Sequence, residues 1–138
     1  MATIKSYTDL EQSKKLAEIL PLESADMYYF LDPTPAGNIY YIVTPQIDFG
    51  VKTKEPEYNK GDIPAWSLTA LYGILPNNKK ESTTLSRGGW KIEPIEYLDN
   101  WWCEYEDESH AKDFTVSADN PIDACVTMIE KLYELNLL

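Results

Sequence analysis

The chain has 138 residues, 43% of them hydrophobic and 25% charged, and 23 acidic against 12 basic residues give a formal net charge of −11. This composition is typical of a globular protein, so we expect a single α+β domain over residues 1–138. The excess of carboxylates disfavours direct contact with nucleic-acid phosphates and anionic membranes, and no apolar run approaches the ~20 residues that a membrane span needs. Because charged residues interrupt the start of the chain, the sequence predicts a cytoplasmic protein with reduced thiols at Cys103 and Cys125.

The first predicted helix covers residues 10–20. Thr8 and Glu11 fit a capping box, in which the hydroxyl and the carboxylate bind each other's free backbone amides. Leu16 and Leu20 follow at helical spacing, and Pro21 ends the helix because the residue before a proline avoids the helical conformation.

Two aromatic and β-branched runs, 27–31 and 39–43, predict a β-hairpin with a longish loop over residues 32–38. Adjacent residues on a strand point to opposite faces. We therefore expect one tyrosine of each adjacent pair, Tyr28/Tyr29 and Tyr40/Tyr41, to be available as an interface anchor. The alternative is that these aromatic residues pack in the core and leave only isolated aromatic side chains exposed.

A second helix is predicted over residues 65–75, with Pro64 in its first turn, where a missing amide costs nothing. Its residues are apolar nearly all round, which is typical of a helix buried on most sides. We therefore expect it to be the central helix of the core.

Four short strands are predicted next, over 83–86, 90–93, 101–106 and 114–117, with Arg87, Gly88 and Gly89 as a plain turn or an anion cradle. Asp119 or Asn120 caps the last helix, whose apolar positions lie on one face. These positions are Ile122, Cys125, Val126, Ile129, Leu132 and Tyr133. The predicted order is α-β-β-α-β-β-β-β-α, which indicates a mainly antiparallel sheet with three helices packed largely on one face.

Four segments, 10–20, 63–68, 90–105 and 120–138, resemble a family of short acidic hypothetical proteins from gut anaerobes, their prophages and their mobile elements. The resemblance covers most of the chain. It implies a mobile-element context and carries over no activity, cofactor or catalytic residue.

Residues 93–113 form the most acidic stretch, with eight carboxylates against one amine. Glu104 and Glu106 would share one face of a strand. The candidate surface residues are Trp101, Trp102, Glu104, Glu106, Asp107, Glu108 and His110. These residues are typical of a solvated, acidic strand edge. Their carboxylates could also bind a divalent cation or act as an acid–base pair. Their spacing, however, matches neither an EF-hand loop nor a zinc-binding helix. Cys103 with His110 is a further nucleophile–base alternative, but nothing beside Cys103 indicates a lowered pKa.

Three hypotheses follow. The first is a non-enzymatic binding protein that contacts a protein partner, preferably a basic one, through this acidic and aromatic surface. The second is a small metal-dependent or carboxylate-based hydrolase centred on Glu104, Glu106 and His110. The third is a DNA mimic with carboxylates along an exposed stripe. The sequence predicts no cofactor and no metal site.

Overall fold

The structure, a computed structural model, describes residues 5–43, 46–48, 51–54, 61–87 and 100–138. Its α-helices are α1 (Leu10–Ile19), α2 (Leu68–Ile74) and α3 (Pro121–Glu134). Its strands are β1 (Met27–Thr34), β2 (Gly37–Val43), β3 (Gln46–Asp48), β4 (Val51–Lys54), β5 (Ile63–Ala65), β6 (Glu81–Arg87), β7 (Trp101–Asp107) and β8 (Phe114–Ala118). Every strand pairing is antiparallel, in three sheets ordered β2-β1-β5, β3-β4 and β6-β7-β8. The predicted α+β class with antiparallel pairing is confirmed.

The chain divides into two compact units, which we call the N-terminal unit (Tyr7–Ala70) and the C-terminal unit (Leu71–Leu138 with Lys5 and Ser6). In the N-terminal unit α1 packs beside β5, and in the C-terminal unit α3 packs on β7 and β8. Each of these two sheets therefore carries a helix on one face. The prediction of one domain over 1–138 stays a prediction.

The capping box of α1 lies one residue later than predicted. Asp9 is the N-cap, its carboxylate accepts the Gln12 amide at 2.8 Å, and the Gln12 side chain accepts the Asp9 amide at 3.1 Å. Thr8 is completely buried and hydrogen-bonds Ser13 and the Trp66 amide instead. A tertiary contact thus takes the hydroxyl that sequence reasoning assigned to the cap.

The hairpin loop is much shorter than predicted, because only Pro35 and Ala36 separate β1 from β2. Gly37 follows with φ +133°, a conformation that side-chain-bearing residues rarely adopt. Pro33 lies inside β1, opposite Asn38. It is tolerated because β5 pairs with residues 27–29, so among the described strands this part of β1 has β2 as its one partner.

The predicted second helix is wrong at its start. Residues Ile63–Ala65 form β5 at the edge of its sheet, with Pro64 opposite Tyr28, and α2 begins only at Leu68. An edge strand accepts a proline because one side of it has no ladder bonds to lose. Within α2 only Leu71 is buried, and Tyr72 is 42% exposed, so α2 is not the buried central helix that its composition predicted.

The C-terminal unit agrees more closely with expectation. Asn120 caps α3 by accepting the Asp123 amide at 2.9 Å, and Pro121 opens the helix. The buried residues of α3 are Ile122, Ala124, Cys125, Val126, Met128, Ile129 and Leu132. Tyr133, predicted on the same face, is 49% exposed. The predicted strand over 90–93 and the turn residues Gly88 and Gly89 lie outside the described residues.

Candidate functional site on strand β7

Strand β7 separates its side chains as the predicted alternation requires. Cys103 and Tyr105 are completely buried, whereas Glu104 and Glu106 are exposed. Trp102 shares the outer face with the two glutamates, because residues two apart on a strand point the same way. We call Trp102, Glu104 and Glu106 the outer row. Trp101 lies on the inner face, where its ring is 5.9 Å from the Arg87 guanidinium, and both tryptophans are half-buried.

The strand residues directly opposite the outer row carry hydroxyl groups. Glu104 lies between Thr84 on β6 and Thr115 on β8, and Glu106 lies opposite Ser82. Within residues 61–87 and 100–138, the carboxylates of Glu104, Glu106 and Glu108 form no salt bridge. The three carboxylates are exposed, and Glu106 and Glu108 share a shallow cavity with Lys79 and Lys80 without forming a salt bridge to either lysine.

Asp113 organises the turn after β7. One carboxylate oxygen accepts the Asp107 amide at 2.9 Å, and the other lies 2.8 Å from Nδ1 of His110. The hydrogen bond and the charge of Asp113 raise the pKa of His110, while the Asp107 amide and then His110 lower the pKa of Asp113. His110 adopts φ 58° and leaves its side chain 69% exposed. Its role in the structure is thus to pair with Asp113 in an exposed turn.

Four of the predicted site residues do meet. Glu106, Asp107, Glu108 and His110 line a shallow cavity of about 130 Å³, together with Lys79 and Lys80, which immediately precede β6. Glu104 does not line this cavity. The structure therefore does not place Glu104 in the cavity that His110 lines, although the hydrolase hypothesis put both in one site.

A larger open groove of about 750 Å³ lies at the same end of the sheet, lined by Glu81, Tyr105, Asp107 and Leu137 and by two lysines, Lys80 and Lys112. The Tyr105 hydroxyl donates to Glu81 at 2.8 Å, and burial, followed by Glu81, raises the pKa of Tyr105 to about 12. Oδ1 of Asp107 is buried and has no hydrogen-bond partner among the described residues. Sequence reasoning missed Glu81 and Tyr105, because only the β6–β7 register brings them together.

The buried cysteines do not form the alternative nucleophile pair. Cys103 is buried on the inner face and its thiol is hydrogen-bonded to that of Cys125, whereas His110 lies beyond the end of β7. The hydrogen bond to Cys103, then burial, raises the pKa of Cys125. The structure therefore does not bring Cys103 and His110 together.

In the part of the chain that the structure describes, no three His, Cys, Asp or Glu side chains converge as metal ligands would. The helices there are also too short or too polar to cross a membrane.

No family model matches the chain, and no similar protein was found among curated sequences or solved structures. The resemblance to proteins of gut anaerobes and their mobile elements stays a prediction.

Proposed function

We propose that this chain is a non-enzymatic binding protein that recognises a basic protein partner through the outer row of β7 and the turn that follows it. The observation that carries the proposal is the set of exposed carboxylates of Glu104, Glu106 and Glu108, which have no salt-bridge partner among the described residues. Unpaired carboxylates on a solvated face attract cations and steer association.

The surrounding chemistry supports recognition of a protein. Trp102 lies in the same row as two of the carboxylates, and tryptophan is enriched among interface anchors. Threonine and serine hydroxyls flank the row. An aromatic residue beside unpaired charges offers both apolar contact and charge complementarity to a lysine- or arginine-bearing surface.

The hydrolase hypothesis has less geometric support. An acid–base pair must lie within hydrogen-bonding reach of one reacting atom. Glu104 points from the outer face of β7, while His110 is held by Asp113 in the turn. The hydrolase and the DNA mimic stay hypotheses, and the experiment below includes an outcome that would favour the hydrolase.

The experiment is affinity capture from the native host with quantitative mass spectrometry. The parent chain is compared with a triple variant, Glu104→Gln, Glu106→Gln and Glu108→Gln. Capture of a basic protein by the parent should be lost in the triple variant and should weaken as salt rises, because exposed charges are screened over ~8 Å at physiological ionic strength. Single changes should have little effect, since one exposed ion pair contributes only about 1 kcal/mol or less.

The matched control carries Glu18→Gln, Glu23→Gln and Glu134→Gln, three exposed acids outside the site. Both triple variants raise the formal net charge from −11 to −8. The control should retain the partner. Equal loss in both variants would show that only net charge matters, and equal retention would show that the outer row is not the binding surface. Loss of an enzymatic activity through Glu104→Gln alone would favour the hydrolase.

A further inference from the structure

The β1–β2 hairpin of the N-terminal unit has two chemically different faces. On one face, the Tyr29 hydroxyl donates to the Thr8 carbonyl at 2.8 Å, and the Lys14 ammonium lies 5.7 Å from the Tyr40 ring. Lys14 lies in α1 and Thr8 directly precedes its N-cap, Asp9, so this face of the hairpin is turned toward the helix. The opposite face is turned away from α1.

That opposite face exposes large apolar side chains. Phe30 is 37% exposed, Ile39 43% and Tyr41 52%. Phe30 lies directly opposite Tyr41 in the register, and Ile39 is two residues along the same face. The three side chains therefore form one contiguous patch, which we call the hairpin patch. Contiguous exposed apolar surface is typical of interaction sites.

Strand β2 is also the edge of its sheet. The Leu31 amide donates to Asp62 at 3.1 Å and not across the hairpin, so Leu31 and Tyr40 form a non-hydrogen-bonded pair. The amide and carbonyl of Tyr40 consequently point away from β1. Because hydrogen-bonded and non-hydrogen-bonded pairs alternate, the backbone amides and carbonyls of Asn38 and Ile42 also point away from β1. Among the described residues, no strand pairs with this side of β2.

This edge lacks the features that keep edges apart in soluble proteins. Natural edge strands are short, or they carry charged residues, prolines or bulges. Residues Gly37–Val43 contain no charged residue and no proline, and the pairing of β1 with β2 runs without a register shift over seven pairs. The edge is thus an open template for another strand.

We infer that the occupant is a second copy of this chain, whose β2 pairs antiparallel with β2 about a twofold axis at Tyr40. In this register Tyr40 meets Tyr40 of the copy, and Asn38 meets Ile42, so the outward amides and carbonyls bond each other. Ile39 then lies opposite Tyr41 of the copy, which joins the two hairpin patches through aromatic and β-branched pairs.

The absence of charged residues in β2 favours a second copy of this chain, rather than a basic protein, as the partner at the strand edge. Each chain carries a formal charge of −11, but β2 itself has none, so self-pairing places no like charges opposite each other. The same strand offers no carboxylate to a basic protein. Dimerisation should therefore strengthen as salt screens the repulsion between two acidic chains, whereas capture of a basic partner should weaken. The inference concerns a different unit from the proposed function and does not rest on it.

The test is analytical ultracentrifugation and light scattering over a range of protein concentrations. The parent should reach twice the chain mass of 15.8 kDa. A variant with Ile39→Lys and Tyr41→Lys, and a second with Ile39→Glu and Tyr41→Glu, should each be monomeric, because like charges then lie opposite each other. Mixing the two variants should restore a dimer, since lysine then faces glutamate at both positions. A folding defect would not be repaired by mixing.

The matched control has Leu22→Lys and Leu135→Lys, which remove two exposed apolar side chains elsewhere. It should dimerise like the parent. A parent that stays monomeric at millimolar concentration, a dimer that survives in both hairpin variants, or a dimer lost equally in the control would each overturn the inference. Partner capture through the outer row should be unchanged in the hairpin variants, so failure of one proposal leaves the other testable.

Discussion

The two units of the chain are stabilised by different chemistry. In the C-terminal unit, half of the 14 residues of α3 are buried, and all seven are apolar. In the N-terminal unit, α1 buries only Ser13 and Leu16 among its ten residues. That unit buries Leu20, Met27 and Trp66 as well, and beside them lie buried hydrogen bonds, in which Thr8 Oγ1 lies 2.7 Å from Ser13 and accepts the Trp66 amide at 3.1 Å.

The solvent-exposed faces of the two sheets show the reverse contrast. The sheet of the C-terminal unit exposes polar and charged side chains, and the sheet of the N-terminal unit exposes apolar ones. The unit with the apolar helix core presents hydroxyls and the carboxylates of Glu104 and Glu106 to solvent. The unit with the polar network presents Phe30, Ile39 and Tyr41. The first surface is suited to electrostatic recognition, and the second to apolar association through a strand edge. One small chain therefore carries two surfaces with different requirements for a partner.

The largest expected effect tests the apolar side of this comparison. Ile129 is completely buried on α3. Replacing it with Ala should lower the free energy of unfolding by about 2–5 kcal/mol, because the lost methylenes leave a cavity. Urea denaturation followed by circular dichroism measures the change. Tyr133→Ala, at a position 49% exposed on the same helix, should change stability by only about 0.5 kcal/mol. Equal free energies of unfolding for the parent and Ile129→Ala would disprove the assignment of that face to the core.

Hydrophobic periodicity predicted α3 well, because its apolar residues recur at helical spacing and are in fact buried. The same signal failed for α2, where an apolar composition concealed a strand at Ile63–Ala65. A short apolar run looks alike in a strand and a buried helix, and only pairing with β1 decides between them.

The polar network had no signal in the sequence. Thr8 and Trp66 are 58 residues apart, and Ser67 bonds Asp26 across 41. Neither spacing is periodic, and Thr8 also fitted a local capping box. In the candidate site, alternation along β7 predicted that Glu104 and Glu106 share a face. The pairing of His110 with Asp113 depends on the turn geometry, which the sequence alone did not provide.

A smaller effect tests the polar side of the comparison. Thr8→Val keeps the shape of the side chain but removes the hydroxyl that accepts the buried Trp66 amide. An unsatisfied buried donor costs about 1–3 kcal/mol, so the free energy of unfolding should fall by that amount. Thr84→Val, at an exposed position on β6, is the matched control and should change stability by only about 0.5 kcal/mol. If the two variants unfold alike, the hydrogen bonds of Thr8 do not stabilise the N-terminal unit.

The smallest expected effect concerns His110, the only histidine of the chain, whose ring resonances are therefore unambiguous in an NMR titration. Its pKa should lie above the ordinary value of 6.5 because of the hydrogen bond to Asp113. Asp113→Asn should bring that pKa down by more than Glu106→Gln does, since Glu106 acts only through a weaker charge interaction.

The sign of the accompanying pH effect follows from the raised pKa. Protonated His110 is favoured in the folded state, so its contribution to stability is present below pH 6.5 and is lost as the pH rises through the folded pKa. Because the side chain is 69% exposed, solvent screens the interaction and the change in unfolding free energy should be slight. If the pKa of His110 were unchanged in Asp113→Asn but lowered in Glu106→Gln, the imidazole ring would lie against the outer row. That arrangement would favour the hydrolase over the binding protein, since it would bring an acid and a base to one site.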